Sequence, residues 1–202
     1  FAGVPSGPTT DDIDRGAALC RDFGADFIIA LGGGSVVDCA KAVAAVAPGQ
    51  RPATDYLYGR ASPDETALAV VAIPTTSGTG SELNRSAIIA DPVARRKDGI
   101  RSDRLFPRLA IVDPALACSL DRGRTAETAF DCLSHAVESY VSPKARPDTN
   151  RLSLEAIRAV CRCLPIALAE PGDLDARERL AWASTTMGIN LTCVGTCFPH
   201  RA

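Results

Sequence analysis

Apolar positions recur along this chain first with short strand-like runs between helical patterns, and later with the helical period alone. Near the start, Thr9 and Thr10 precede Asp11 and Asp12, a helix-start signal, and Ile13, Ala17, Leu19 and Phe23 carry the apolar pattern to Gly24, a residue suited to closing a helix. The chain is therefore predicted to open in a helix. Phe27-Ile28-Ile29-Ala30-Leu31 follows, a continuous apolar run ending in three glycines, as expected of a strand buried on both faces. A second helix is expected over 35–47. Runs at 68–73, ending at Pro74, and at 109–112, before Asp113-Pro114, read as further buried strands, and 86–90 as one more. Buried strands separated by helices imply a parallel sheet with helices on both faces.

After residue 121 the strand-like runs stop. Three long amphipathic patterns take over, at 125–142, 149–169 and 173–197, with Asp148 or Thr149 and Asp173 placed to cap the second and third. The expected fold is thus an α/β domain with a parallel sheet over 1–120, followed by an all-α unit over 121–202, with the boundary near Leu120. No internal repeat or low-complexity segment interrupts it.

Composition narrows the class of function. At 202 residues, 46% hydrophobic and 23% charged, the chain has the make-up of a globular protein able to bury a core. A formal net charge of -2, with no cluster of Lys and Arg, argues against nucleic acid or an anionic membrane as the main partner. No apolar stretch reaches the roughly 18 residues a membrane span needs, and the start at Phe1 shows no signal-peptide pattern, so a cytoplasmic protein acting on small molecules is expected. Of the eight cysteines, six fall in apolar periodic segments and read as reduced core residues. The rival is a metal cluster built on Cys161/Cys163 and Cys193/Cys197, neither of which is a Cys-x-x-Cys knuckle.

Two loops at strand ends carry candidate chemistry. Gly32-Gly33-Gly34-Ser35 joins a strand to a helix, so a ligand could approach backbone N–H groups at the positive helix end, where a pyrophosphate binds. It is neither a Gly-x-Gly-x-x-Gly fingerprint nor a P-loop, and Ser35-Val36-Val37-Asp38 reads equally as a capping box that merely closes the helix start. The second loop, Pro74-Thr75-Thr76-Ser77-Gly78-Thr79-Gly80-Ser81-Glu82, crowds hydroxyls and glycines at a strand's C-terminal end and suits a sugar, phosphate or carboxamide.

On the first helix of the all-α part, Asp131 and His135 lie four residues apart, hence on one face, where they could share an ion or simply interact with each other. Glu138, one turn on, is either a partner for His135 or a surface charge. His200, the second of only two histidines, follows Pro199 and is open to a structural or a metal role.

Together these segments resemble the iron-containing (group III) alcohol dehydrogenase family, which includes lactaldehyde reductase, butanol dehydrogenases and glycerol dehydrogenase. The resemblance rests on Gly-Gly-Gly-Ser-x-x-Asp-x-Ala-Lys at 32–41, Pro-Thr-Thr-x-Gly-Thr-Gly-Ser-Glu at 74–82, Asp-Pro at 113–114 and Asp-x-Leu-x-His-Ala-x-Glu at 131–138. It implies a dehydroquinate synthase-like architecture, with a dinucleotide-binding α/β domain, a helical domain and the site in the cleft between them. By the same resemblance Gly33, Gly34, Ser35 and Asp38 belong to the pyrophosphate motif of NAD or NADP, Thr75, Thr76 and Thr79 lie along the cofactor, and Lys97 stands near the nicotinamide ribose. Asp131 and His135 would be both catalytic and metal ligands for Fe²⁺ or Zn²⁺, with His200 as a third ligand and a fourth beyond Ala202. Around His200 the wording Thr196-Cys197-Phe198-Pro199 departs from the commonest family form.

Family members are nearly twice this length, so the resemblance implies a piece lacking N-terminal and C-terminal parts, inactive by itself and a homo-oligomer when full length. The implied reaction moves a hydride between a nicotinamide cofactor and an alcohol, aldehyde or ketone. Two alternatives remain: a related metal enzyme of the same architecture, a transhydrogenase or a synthase, and a non-catalytic nucleotide-binding remnant. The particular alcohol, NAD against NADP, and iron against zinc are not written in these residues.

Overall fold

The computed structural model describes residues 1–197 and 200. These form two compact units, Phe1–Ile73 with Arg85–Ile111, and Pro74–Asn84 with the chain from Val112 onward.

The first unit opens with helix α1, Thr10–Phe23. Thr9 caps it: its hydroxyl accepts the Asp12 N–H while the Asp12 carboxylate accepts the Thr9 N–H at 3.0 Å, so two amides that the helix cannot satisfy are paired. Gly24 ends it in the left-handed conformation, φ 66°. Strand β1 (Phe27–Gly32), helix α2 (Gly34–Val46), the short helix α3 (Ala53–Leu57) and strand β2 (Ala69–Pro74) follow. The sheet order is β1-β2-β5, where β5 is Leu109–Ala110 and runs parallel to β2 with Val71 opposite Leu109.

Two expectations change in this unit. Segment 86–90 does form a strand, β3 (Ser86–Asp91), but it pairs antiparallel with β4 (Arg96–Arg101) as a separate hairpin. The turn holds because the Asp91 carboxylate accepts the Val93 and Ala94 N–H groups and Arg95 takes φ 50°. Strand β4 carries four charged residues in six and only Ile100 is buried, which is why no apolar signal announced it. Strand β1 is covered on one face rather than two. Ala30 packs with Val37, Ala40 and Ala44 of α2, whereas Phe27, Ile29 and Leu31 are 54%, 59% and 59% exposed. Among the described residues of this unit, α2 is the helix that lies against β1.

The second unit is built on helices α4 (Arg122–Val141), α5 (Pro147–Ala169) and α6 (Leu174–Val194). Its core is made of small and medium side chains, Ala129, Cys132 and Ala136 from α4, Ala156, Val160 and Cys163 from α5, and Leu180, Ala183 and Met187 from α6, which lets the helices approach closely. Asp121 and Asp173 cap α4 and α6 by accepting the Arg124 and Ala176 N–H groups, each at 2.8 Å. Helix α5 starts slightly before the expected cap: Pro147, which has no N–H to satisfy, is its first residue, and Thr149 accepts the Arg146 N–H at 2.8 Å. Gly195, at φ 72°, ends α6 short of the expected 197.

The threonine loop packs with these helices rather than with the unit that precedes it in sequence. Gly80 takes φ 60° and lies so close to α6 that a Cβ there would stand 2.5 Å from the Gly188 N and the Ser184 O. The Thr185 hydroxyl donates to Glu82 at 2.7 Å, and Asn84 donates to the Gly80 carbonyl at 3.2 Å. The cysteines are free thiols, with Cys39, Cys132 and Cys163 buried as expected of core residues, but Cys161 and Cys193 exposed. Those two sit on outward faces of α5 and α6. No helix among the described residues is long and apolar enough to cross a membrane.

Candidate metal site and glycine loop

Helix α4 presents Asp131 and His135 one turn apart, and His200, which lies beyond the end of α6, stands beside them. The His135 Nε2 lies 3.8 Å from the Asp131 Oδ1, and the His200 Nε2 lies 3.1 Å from the same oxygen. The two imidazoles stack at 4.3 Å between centroids, 23° from parallel. One ligand atom from each of the three residues falls within 4.8 Å of the others. His135 is buried, and its Nδ1 has no hydrogen bond; the Asp131 side chain is 31% exposed, leaving the cluster open on one side.

Burial holds His135 below the ordinary histidine value, outweighing the opposite pull of Asp131, so its imidazole is neutral with a lone pair to give. His200 is also partly desolvated, but hydrogen bonds from its ring to Asp131 and Glu138 win and raise it. Burial pushes the Glu138 carboxyl up, and the Cys197 amide, His200 and Ser134 together push it further down, so it is ionised. Glu138 is therefore neither a surface charge nor a partner of His135. It is buried, and its oxygens accept from Ser134 Oγ at 3.1 Å, from the Cys197 N–H at 2.5 Å, and from His200 Nδ1.

One carboxylate and two imidazoles form a donor set suited to a borderline divalent ion such as Fe²⁺ or Zn²⁺. Among the described residues, the ion-pair partners of Asp131 are the two imidazoles, so no fixed side-chain cation holds the place an ion would take. The residues fit the group. Phe198 and Pro199, in the segment whose wording departs from the family form, lie outside the described residues.

The glycine loop lies in the other unit. Gly33 is the N-cap of α2, in extended conformation and without a side-chain cap, and Gly34 is the first helical residue; the first turn holds no acidic side chain. A Cβ on Gly32 would stand 2.6 Å from the Val36 Cγ2, so close strand-to-helix packing requires glycine there. The capping-box reading of Ser35 and Asp38 fails because the helix starts one residue early and places Ser35 inside its first turn. Ser35 Oγ instead accepts the Gly7 N–H at 3.2 Å. The Asp38 carboxylate accepts the Ile88 N–H at 3.0 Å and lies 3.9 Å from the ammonium of fully buried Lys41, which donates to the Ser86 carbonyl at 2.8 Å. Asp38 and Lys41 thus tie α2 to strand β3. Lys97 is exposed on β4, paired with Ala90. In the helical unit Thr75 and Thr76 are partly buried, and Thr79 Oγ1 accepts the Ser81 N–H at 3.2 Å.

The structure therefore gathers Asp131, His135 and His200, and separately Gly33, Gly34, Ser35 and Asp38. Sequence reading did not find the Glu82–Thr185 bond or the seat that Gly188 offers to Gly80. A glycine in the middle of an otherwise unbroken helix was the available signal for the second.

Comparison with known proteins shows the family. The profile described as iron-containing alcohol dehydrogenase matches residues 1–114, and that of the Fe-containing alcohol dehydrogenase family, C-terminal, matches 125–201. The NAD-dependent methanol dehydrogenase of Bacillus methanolicus is 36% identical over 99% of this chain and 52% of its own length. The long-chain primary alcohol dehydrogenase of Thermoanaerobacter ethanolicus is 36% identical over 93% of this chain and 47% of its own. Among solved structures, sulfoacetaldehyde reductase from Bifidobacterium kashiwanohense in complex with NAD+ superposes with a TM-score of 0.93 at 34% identity, covering 97% of this chain and 52% of that one. The chain thus spans about half the length of the relatives it matches.

Proposed function

Because the chain belongs to the iron-containing alcohol dehydrogenase family, we propose that it is part of a metal-dependent oxidoreductase that moves a hydride between a nicotinamide cofactor and an alcohol, aldehyde or ketone. The observation that carries this reading is the convergence of Asp131, His135 and His200 on one point. In it, Asp131 and the neutral imidazole of His135 hold Fe²⁺ or Zn²⁺ with His200 as third donor. A bound divalent ion supplies Lewis acidity toward the substrate oxygen, and NAD or NADP supplies the hydride acceptor. Gly33, Gly34 and Ser35 offer uncapped N–H groups at the positive end of α2 to the pyrophosphate. Thr75, Thr76 and Thr79 line the cofactor with hydroxyls, and Lys97 meets the nicotinamide ribose. Asp38 serves the same motif indirectly by holding β3.

The small net charge supports small-molecule partners rather than nucleic acid. We take the full-length protein to be a cytoplasmic homo-oligomer, a reading supported by the apolar residues left exposed on both units.

The test uses the full-length protein, metal content measured by mass spectrometry and NADH absorbance followed on addition of a primary alcohol and NAD⁺. His135→Ala is expected to lose metal and absorbance change together, by two orders of magnitude or more on the scale of about 3 kcal/mol per lost contact to a charge. Metal-loaded enzyme that converts substrate with no net change in NADH would instead point to transhydrogenation or a synthase, and activity in metal-stripped protein would refute the role of the cluster.

A further inference from the structure

The threonine loop, Pro74–Asn84, belongs to the same compact unit as the helix that carries Asp131 and His135. Two of its glycines meet helix backbone. A Cβ on Gly78 would stand 2.7 Å from the Thr128 carbonyl oxygen and 3.0 Å from the Thr128 Cα, so loop and α4 touch main chain to main chain there. Thr128 precedes Asp131 by three positions and His135 by seven, and those spacings fall on one helix face. The loop therefore rests on the stripe of α4 that bears the two donors, about one turn before the first. Gly80 makes the matching approach to α6 at Ser184 and Gly188.

Glycine contacts fix how near the loop lies, but a surface without side chains leaves it free to slide. Direction comes from hydrogen bonds. The Thr185 hydroxyl, on α6 between those two residues, donates to Glu82 at 2.7 Å, and Asn84 donates to the Gly80 carbonyl at 3.2 Å. Glu82 is 3% exposed. Burying a carboxyl group costs free energy that an apolar residue in its place would not incur, so what Glu82 supplies is orientation rather than cohesion. Thr76, Ser77, Glu82 and Thr185 line one small cavity, which sets this bond directly behind the threonines.

We propose that Glu82 and Thr185 are a positioning pair for hydride transfer: their hydrogen bond locks the register of the threonine loop on α6, and so sets where Thr75, Thr76 and Thr79 hold the cofactor relative to Asp131 and His135. The idea rests on the dehydrogenase reading above and names what keeps its cofactor loop in place. Valine has the shape of threonine without the hydroxyl, so Thr185→Val leaves the Glu82 carboxyl without this donor, whereas Thr185→Ser retains it.

The full-length protein, loaded with its metal, is assayed for metal content, for NADH affinity by nucleotide fluorescence, and for the single-turnover rate of NADH formation. A primary alcohol deuterated at its carbinol carbon marks the hydride step. Thr185→Val is expected to keep its metal and its helical circular dichroism and to bind NADH about 3- to 10-fold more weakly. Its single-turnover rate should fall by about 10- to 100-fold and be slowed further by deuterium, because a hydride acceptor held out of line slows that step itself. Thr185→Ser is expected to recover both affinity and rate. Wild-type affinity and rate in Thr185→Val would overturn the proposal, as would a slowed step indifferent to deuterium. A serine variant as impaired as the valine one would overturn it too, since packing rather than the hydroxyl would then matter. Loss of metal from Thr185→Val would do the same by making the bond a prop of the helices. A wild type that binds NADH yet gives no net oxidation of alcohol would instead sink the dehydrogenase reading, and the loop would then be judged on the NADH affinities of the two variants alone.

Discussion

Gly188 shows how a single residue in this chain can invert a general rule. A glycine within a helix costs about 0.5–1 kcal/mol relative to alanine, so Gly188→Ala in α6 would ordinarily stabilise. Here the new methyl would overlap the Gly80 carbonyl oxygen and stand 3.0 Å from its carbon, and both belong to backbone that cannot swing aside. Overpacking of this kind costs about 1–3 kcal/mol, which exceeds the propensity gain. Gly188→Ala is therefore expected to lower the urea midpoint. Gly172→Ala, where a Cβ meets nothing within 4 Å, should leave it within about 0.5 kcal/mol. Equal midpoints for the two variants would show that loop and helix are not in backbone contact. At this scale the sequence displayed the odd glycine, but its partner lies more than a hundred residues away, beyond the reach of any local pattern.

Among the elements, α1 is specified almost entirely by its own residues. Thr9, Asp12 and Gly24 close both ends as read from the sequence, because capping is a local contest between side chain and backbone. Thr9→Ala is expected to cost about 1 kcal/mol in a denaturant melt. The cap also has a pH signature. The Thr9 amide holds the Asp12 carboxyl below its usual 3.8, against the effect of burial, and the Thr9 hydroxyl and Arg15 assist. A lowered folded value gives stability that is complete above the unfolded value and disappears as pH falls through the folded one. The difference between wild type and Asp12→Asn should thus be constant near neutral pH and shrink only below 3.8. The shift comes from a single cap at the start of one helix, so the effect is small, and a difference that grows on acidification would contradict the assignment. The hairpin β3–β4 is the opposite kind of element. Its second strand has one buried residue, and it persists through cross-strand pairing and the Asp38 and Lys41 contacts that no periodicity reveals.

For the molecule as a whole, the notable feature is how much apolar surface remains uncovered. Phe27, Ile29 and Leu31 line one face of β1, and Phe130, Val137 and Val141 rise along α4. Exposed clusters of this kind associate. The chain is expected to bind a hydrophobic dye and to grow in apparent mass with concentration in light scattering. Ile29→Thr with Phe130→Ser should reduce both while leaving the melt little changed, whereas undiminished dye binding would place the sticky surface elsewhere. The sequence by itself determined what depends on near neighbours: the five long helices and most of their caps, though not the short α3, the apolar strand runs, the two loops, and the placing of Asp131 and His135 on one face, because a helix repeats every 3.6 residues and fixes a spacing of four. Tertiary structure alone decided which face of β1 is covered and that Asp38 serves a hairpin rather than a cap. It also decided that His200, 69 residues from Asp131, completes the cluster with Glu138 behind it. Those outcomes depend on how separate segments pack, and packing joins residues whose separation along the chain carries no periodic trace.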